Sequence, residues 1–173
     1  MNPGRPAATE HAPFYAGYVA GVAEDDILAV LGAQGAELVA LARALPPEKA
    51  SYRYAEGKWS VREVLGHLVD GERVFGHRAF CFSRGERAAL PGFDENDYVA
   101  AGAADSVPAV ELAADFAAVR ESNLAFLRRL GAPEWSRVGT ASGKPVSVRA
   151  LAWIMAGHPR HHLAILRERY GVA

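Results

Sequence analysis

The sequence of 173 residues contains a single cysteine and no long uninterrupted hydrophobic run. One cysteine, Cys81, provides no disulfide framework, so the sequence lends no support to a secreted, disulfide-stabilised protein. The N-terminal segment 1–13 lacks the apolar stretch of a signal peptide, and no other segment has an unbroken apolar run of membrane-spanning length. We therefore expect a cytoplasmic protein that has no membrane partner.

An excess of positive charge is also lacking. The chain has 19 Lys and Arg residues against 20 Asp and Glu residues, a formal net charge of −1. The basic residues are scattered among the acidic ones, whereas a protein that binds nucleic acid normally carries a basic patch or stripe. We therefore expect no nucleic-acid partner.

Strand-forming patterns are scarce, and only segment 136–148, with turn candidates at Gly139 and Ser142–Gly143, predicts a small hairpin. Half of the residues are apolar, which is enough for one compact core but not for two full-sized domains. We expect a flexible N-terminal arm over residues 1–13, in which His11 is solvated, and then a single domain over residues 14–173.

Helical periodicity is what the sequence has in quantity. Apolar residues recur at helical spacing in four segments: residues 26–45, 60–83, 108–131 and 147–170. The second segment begins with a capping box from Ser60 to Glu63, and the last two end at Gly131 and Gly171, typical C-terminal caps. The connection 84–107 is long enough to run along a bundle. These features predict an all-α protein, a four-helix bundle with a long crossover between helices 2 and 3.

Three histidines carry the functional argument. His158 and His162 lie four residues apart, so on a helix they project from one face, and their helical-wheel positions fall within the apolar stripe. His67 lies at the edge of the stripe of the second helix. Neutral imidazole is the commonest protein ligand for metals, and a shared cation would supply the polar partner that buried imidazoles need. The pattern predicts a mononuclear divalent-metal site with open positions.

Each of the other polar residues near this site has both a possible functional role and a possible structural one. A lone inward histidine is more often a hydrogen-bonded core residue than a ligand, so a structural bundle with metal-free histidines is one alternative. Asp70, one turn after His67, is a candidate to orient an imidazole or act as a base, or it is a solvated residue. Arg120, Asn123 and His161 are pocket candidates, with structural or surface roles as the alternative.

Two residues conflict with a simple buried helix. Glu72 falls on the apolar face of the second helix, where a carboxylate needs a partner such as Arg78 or Arg120.

Pro159 follows His158 inside the fourth helix, lacks a backbone donor and disfavours helical geometry at the residue before it. We expect the fourth helix to kink or restart there, which would redirect His158.

Two motifs in this order and at this separation resemble the DinB-like superfamily, which includes the YfiT-like proteins assigned to metal-dependent hydrolysis. They are KWSVREVLGHL at residues 58–68 and GHPRHHL at residues 157–163. The resemblance extends from about residue 15 to the C-terminus. It implies a four-helix bundle with an up-down-down-up course, a divalent metal held by His67, His158 and His162, and a homodimer. Some relatives are S-transferases or isomerases that use low-molecular-weight thiols.

Three imidazoles leave a metal with room for water or substrate, unlike a closed four-ligand site that only braces a fold. A bound water or thiol would lose its proton more readily. We therefore expect a hydrolase, or an S-transferase with a low-molecular-weight thiol as co-substrate, acting on a small molecule. Zinc or nickel is the leading metal, with iron or manganese as alternatives. The rival from another class is a metal-binding or stress-response bundle without turnover.

Overall fold

Four long helices form the body of the structure, a computed structural model that describes residues 2–172. This part of the chain contains the helices α1 (Ala16–Ala20), α2 (Ile27–Ala44), α3 (Pro47–Ala50), α4 (Val61–Ser83), α5 (Glu95–Gly102), α6 (Ala109–Leu127), α7 (Ala132–Trp135) and α8 (Val148–Tyr170), and the strands β1 (Val138–Ala141) and β2 (Lys144–Ser147). Single 3-10 turns lie at Ala8–Glu10, Pro13–Tyr15 and Ala104–Ser106. The predicted all-α class is confirmed.

The ends of the long helices follow from local capping chemistry. Three of the four long helices begin where a side-chain oxygen accepts a backbone N–H of the first turn, namely at Asp26, Ser60 and Ser147. The capping box is present, because the Glu63 carboxylate accepts the N–H of Ser60 in return. The helix α8 ends at Gly171, whose φ of 62° is the left-handed cap that glycine adopts easily.

One predicted boundary is wrong. The helix α6 ends at Leu127 rather than at Gly131. Gly131 is instead the N-cap of the short helix α7, where its N–H donates to the carboxylate of Glu134 and Pro133 occupies the first turn. The proline and the carboxylate favour a helix start at the position that we expected to be a helix end.

Contacts between the long helices define the topology. The helix α2 packs on α6 and α8, and α4 packs on the same two helices. Between α4 and α6 the contacting residue numbers rise together, whereas between α4 and α8 they run in opposite senses. The pairs are 72–120 and 76–123 in the first case, and 71–158 and 67–162 in the second. The parallel α4 and α6 therefore need the long crossover, and the predicted up-down-down-up bundle is confirmed.

A layer of buried polar side chains divides the apolar interior into two clusters. One cluster includes Leu31, Phe75 and Leu124, and the other includes Leu38 and Phe116. Between them lie three side chains that are each at most 4% exposed: Gln34 of α2, Glu72 of α4 and Arg120 of α6. Arg120 donates to the Glu72 carboxylate at 2.7 Å and to Gln34 Oε1 at 2.6 Å, and Asn123 also donates to Glu72. The expected pairing of Glu72 with Arg120 is confirmed.

The hairpin and the crossover pack along α4: the hairpin lies beside Phe82 near the end of α4, and the last part of the crossover reaches Ser60 at its start. The strands β1 and β2 form the predicted antiparallel hairpin, which pairs Val138 with Ser147 and turns at Ser142–Gly143. The crossover contains α5 and is bridged to the hairpin between Leu90 and Ala141. Arg78, buried in α4, donates to Pro91 O and to Ser142 Oγ, so it joins the crossover to the hairpin turn.

Two residues anchor the N-terminal segment to the rest of the structure, and the flexibility expected of this segment stays a prediction. His11 is 8% exposed rather than solvated. The Glu10 carboxylate accepts hydrogen bonds from the Ser147 hydroxyl and from Arg149 at 2.6–2.7 Å. An ion pair and a hydroxyl at the start of α8 thus hold a segment that has few apolar residues of its own.

The helix α2 is apolar enough, by length and composition, to cross a membrane, with a mean hydropathy of 1.5. The polar residues Gln34, Glu37 and Arg43 interrupt its sequence, and 44% of it is buried in the structure. It packs against α6 and α8 in the way of a core helix. The absence of a membrane partner stays a prediction.

We expected α8 to kink or restart at Pro159, and the restart is wrong, because α8 is helical without interruption from Val148 to Tyr170. Pro159 has no N–H to donate to the carbonyl of Met155, four residues earlier. Arg120 supplies the missing donor, since its Nη2 lies 2.8 Å from Met155 O. One turn of α8 is therefore completed by a guanidinium from α6, and His158 and His162 stay on one helical face.

Because the Arg120 guanidinium takes the place of a backbone N–H at Met155 O, we expect the effects of mutating Arg120 and Pro159 on stability to be coupled. In a Glu72→Gln background, which avoids a buried unpaired carboxylate, Arg120→Met leaves Met155 O without a donor. Adding Pro159→Ala returns a backbone N–H to that carbonyl. The decrease in unfolding free energy caused by Arg120→Met should therefore be about 1 kcal/mol smaller in the Pro159→Ala protein. Chemical denaturation of the four proteins of this cycle measures the coupling. Strictly additive unfolding free energies would contradict it.

Candidate metal centre

Three imidazoles from two helices meet in the middle of the bundle. The ring centroids of His67, His158 and His162 lie 4.8, 4.7 and 4.7 Å apart, and each pair of rings is inclined by 69–80°. One ligand nitrogen from each residue lies within 4.8 Å of the other two. His67 and His158 are buried, and His162 is half-buried. The structure thus brings together the three histidines that the sequence analysis singled out.

A glycine and a tryptophan shape the space around these rings. A Cβ atom at Gly71 would lie 2.6 Å from Cε1 of His158, so only glycine leaves room for that ring against α4. The Trp59 ring, just before α4, lies 4.8 Å from the ring of His67. The imidazoles are therefore held by packing on both helices rather than by flexible loops.

Burial keeps the three imidazoles neutral at neutral pH. Desolvation lowers the pKa of His67 to about 4. Desolvation, together with repulsion from the neighbouring histidines, lowers the pKa of His162 to about 3 and that of His158 well below its usual value. A neutral imidazole has a free lone pair, which is the form that binds a metal ion.

The hydrogen bonding of the cluster fits a shared cation. Nε2 of His67 and Nε2 of His158 lie 2.9 Å apart, so a single proton can be shared between them. Nδ1 of His67 is buried and has no hydrogen-bond partner among the described residues. Three converging nitrogens with so few partners are costly to bury as free imidazoles, whereas a divalent ion uses their lone pairs directly.

The other candidates from the sequence lie outside the cluster. Asp70 is half-buried, which raises its pKa against the opposing effect of Arg73, but within residues 2–172 it makes no hydrogen bond to the three imidazoles. His161 is exposed and packs on Tyr18 at 5.4 Å. Arg120 and Asn123 were pocket candidates with a structural role as the alternative, and the structure shows both donating to Glu72 in the polar layer.

One polar residue near the cluster was not predicted from the sequence. Glu95, the first residue of α5, places Oε2 4.0 Å from Nε2 of His67 and is 54% exposed. Its signal was present in the chain, because Asp94 caps α5 by accepting the N–H groups of Asn96 and Asp97. An aspartate followed by polar residues is a helix-start pattern, but the direction of Glu95 depends on where the crossover packs.

A cavity of about 520 Å³ opens onto two of the three imidazoles, those of His67 and His158. Its remaining walls come from the N-terminal segment and α1, from Phe75 of α4, from the start of α5 and from the hairpin turn. This volume lies within the 300–1,000 Å³ range of small-molecule sites. The histidine cluster is therefore accessible to a ligand from this cavity, and a smaller cavity of about 240 Å³ reaches His162 beside Trp59 and Tyr170.

Fold and cluster together define a class: a four-helix bundle whose second and last long helices share a buried three-histidine cluster. The family model of the DinB superfamily matches residues 31–166. The chain belongs to the DinB superfamily.

A solved structure shows the same fold. The structure of YfiT from Bacillus subtilis, described as a probable metal-dependent hydrolase with an unusual four-helix bundle topology, aligns with a TM-score of 0.76 and 20% sequence identity. The alignment covers 85% of this chain and 87% of that one. No curated protein matches the sequence.

The lowered imidazole pKa values predict that the metal-free protein loses stability in mild acid. The unfolded chain binds protons at its histidines below about pH 6.5, whereas the folded cluster resists protonation down to about pH 4. The free energy of unfolding should therefore fall by up to about 1.4 kcal/mol for each pH unit of acidification and for each of the three histidines. Urea denaturation of chelator-treated protein at pH 7, 6 and 5 measures this slope.

His162→Gln should reduce that slope by about one third, because one of the three buried imidazoles is removed. His161→Gln, an exposed change on the same helix, is the matched control. An unchanged unfolding free energy between pH 7 and pH 5 would show that the cluster is not buried as a neutral set.

The contact between Gly71 and His158 predicts a local effect on metal affinity. Gly71→Ala places a methyl group where the His158 ring lies, so affinity for Zn²⁺ should fall at least about tenfold. Gly32→Ala on α2 is the control, because its Cβ would meet only Arg128 Nη2, at 3.9 Å. Competition with a chromophoric chelator measures both affinities. Equal affinities in the two variants would contradict the role of Gly71.

Proposed function

We propose that this protein is a metal-dependent enzyme that hydrolyses a small molecule at a divalent ion held by His67, His158 and His162. The observation that carries the proposal is the pairing of a neutral three-imidazole cluster with a cavity that opens onto two of its rings, those of His67 and His158. A bound zinc or nickel ion would lower the pKa of a water molecule and supply a nucleophile at neutral pH. A site that only braces a fold has no need of an open side.

The chain's own residues support this chemistry from around the cavity. His67 and His158 present their rings to the cavity, and His162 completes the set from behind. The Glu95 carboxylate lines the same cavity and lies near Nε2 of His67, where it can accept a proton from an attacking water. The rings of Tyr18 and Phe75 pack on His158 and limit the access of solvent to it.

Two other functions would use the same histidine cluster in different ways. Activation of a low-molecular-weight thiol would make the protein an S-transferase, since a thiol at the open side would also lose its proton more readily. A metal-binding bundle without turnover would need the histidines but not Glu95. A homodimer and a cytoplasmic location stay predictions.

Metal content tests the first half of the proposal. Protein purified without a histidine tag should carry about one divalent ion per chain, and His162→Ala should lose it, because two imidazoles bind far more weakly than three. His161→Ala, at the adjacent exposed position, should keep the ion. Elemental analysis gives the stoichiometry, and equal metal content in His162→Ala and wild type would remove the site.

Turnover tests the second half. A panel of esters, amides and thiol-plus-electrophile pairs separates hydrolysis from thiol transfer. Glu95→Gln should keep the metal but lower kcat by about 10²-fold or more if Glu95 accepts a proton in the reaction, whereas Asp97→Asn on the same helix should not. Metal binding in wild type with no turnover across the panel would favour the non-catalytic alternative.

A further inference from the structure

The cavity beside the histidine cluster has walls of unusual composition. Five of its fifteen lining residues are aromatic, in a chain that is 9% aromatic overall. They are Phe14, Tyr15, Tyr18, Phe75 and Phe93. Such enrichment in one cavity is typical of a site that binds a flat apolar group.

The aromatic rings form a continuous path from the rim to the imidazoles. Phe14, which is 74% exposed, contacts Tyr15 edge-to-face at 5.1 Å, and Tyr15 contacts Phe75 in the same way at 6.0 Å. Phe75 then meets the ring of His158 at 5.6 Å. A ligand ring that packs along this path would place a neighbouring functional group beside the histidine cluster.

Backbone packing and hydrogen bonds hold these walls in place. Gly157 lets the backbone of Tyr18 lie against α8, because a Cβ there would be 2.0 Å from Tyr18 O. Arg78 fixes the crossover and the hairpin turn, as described above. The cavity is therefore largely pre-formed, and an aromatic ligand would not first have to order its walls.

The charges around the cavity are of both signs. Lys144 lies at the start of β2, whereas Asp94 and Glu95 lie at the start of α5. Asp94 already accepts two backbone N–H groups, and Glu95 is the carboxylate near His67. The two carboxylates and the ammonium give the rim a formal charge of −1, and the divalent ion of the proposed site would bring the whole cavity to +1. This small residual charge gives little preference for a strongly charged ligand, so the walls suit a neutral one.

We propose that the substrate is a neutral aryl acyl compound, such as an aromatic ester or amide, whose ring packs against the aromatic path. This proposal rests on the hydrolytic function proposed above. Water oxygen forms the new bond to the acyl carbon, and the bond from that carbon to the ester oxygen or amide nitrogen breaks. The electron pair of the broken bond stays on that heteroatom, which receives a proton from the attacking water.

Two hydroxamic acids test the substrate class without any need for turnover. Benzohydroxamate and acetohydroxamate share the same metal-binding group and differ in an aryl against a methyl substituent. Zinc-loaded wild type should bind benzohydroxamate at least about tenfold more tightly, as the burial of a ring predicts. Isothermal titration calorimetry gives both dissociation constants.

Variants at the cavity rim then test whether the aromatic side chains there cause the preference for benzohydroxamate over acetohydroxamate. In Phe14→Ala/Phe93→Ala the affinity ratio should fall to about 3 or less, while acetohydroxamate binds as in wild type. Phe80→Ala removes another exposed aromatic side chain, one that packs on Phe126 outside the cavity, and should leave the ratio unchanged.

The outcomes separate this proposal from the metal site on which it rests. Equal binding of the two hydroxamates to wild type, or a ratio that survives the double rim variant, would overturn the aryl substrate class and leave the metal site standing. Failure of the protein to bind either zinc or nickel would overturn both. An aryl preference that disappears only in the rim variant supports the proposal.

Discussion

Buried charge that must be paired is the constraint on which the rest of the structure depends. Glu72 and Arg120 are each 1% exposed, and an unpaired ion at either position would cost several kcal/mol. Arg120 satisfies Glu72, Gln34 and the carbonyl of Met155, which belong to three other helices. Purely apolar helix faces could slide past one another by a turn at modest cost, whereas these hydrogen bonds exist in one alignment only. The polar layer therefore sets the axial register of the four long helices, that is, which turn of each helix lies beside which turn of its neighbours.

The same alignment assembles the histidine cluster. His67 on α4 and His158 on α8 come to 2.9 Å only when the two antiparallel helices are matched to within a fraction of a turn. Pro159 lies next to His158 and cannot donate a backbone N–H to Met155 O. Arg120 donates to that carbonyl instead, and α8 continues through the proline. Support of the fold and positioning of the site are thus two consequences of one network, which explains why polar side chains occupy the centre of the bundle.

The segments outside the bundle add what the helices lack. The N-terminal segment, the crossover and the hairpin turn leave one side of the cluster open and line that opening with aromatic rings. A four-helix bundle with its histidines fully enclosed could hold an ion but could not present it to a ligand. The connections, which differ most easily between proteins of one fold, therefore decide what reaches the cluster.

The sequence alone determined the four long helices and the three histidines. Helical periodicity, the cap at Ser60 and the spacing of His158 and His162 are local properties, which act within one or two turns of chain. The structure alone decided that α8 runs through Pro159, that Arg120 and Asn123 serve Glu72, that Glu10 accepts a hydrogen bond from Ser147, and that Glu95 lies near His67. Each of these depends on a partner tens of residues away in the chain, and no local pattern records the direction in which a distant side chain will point.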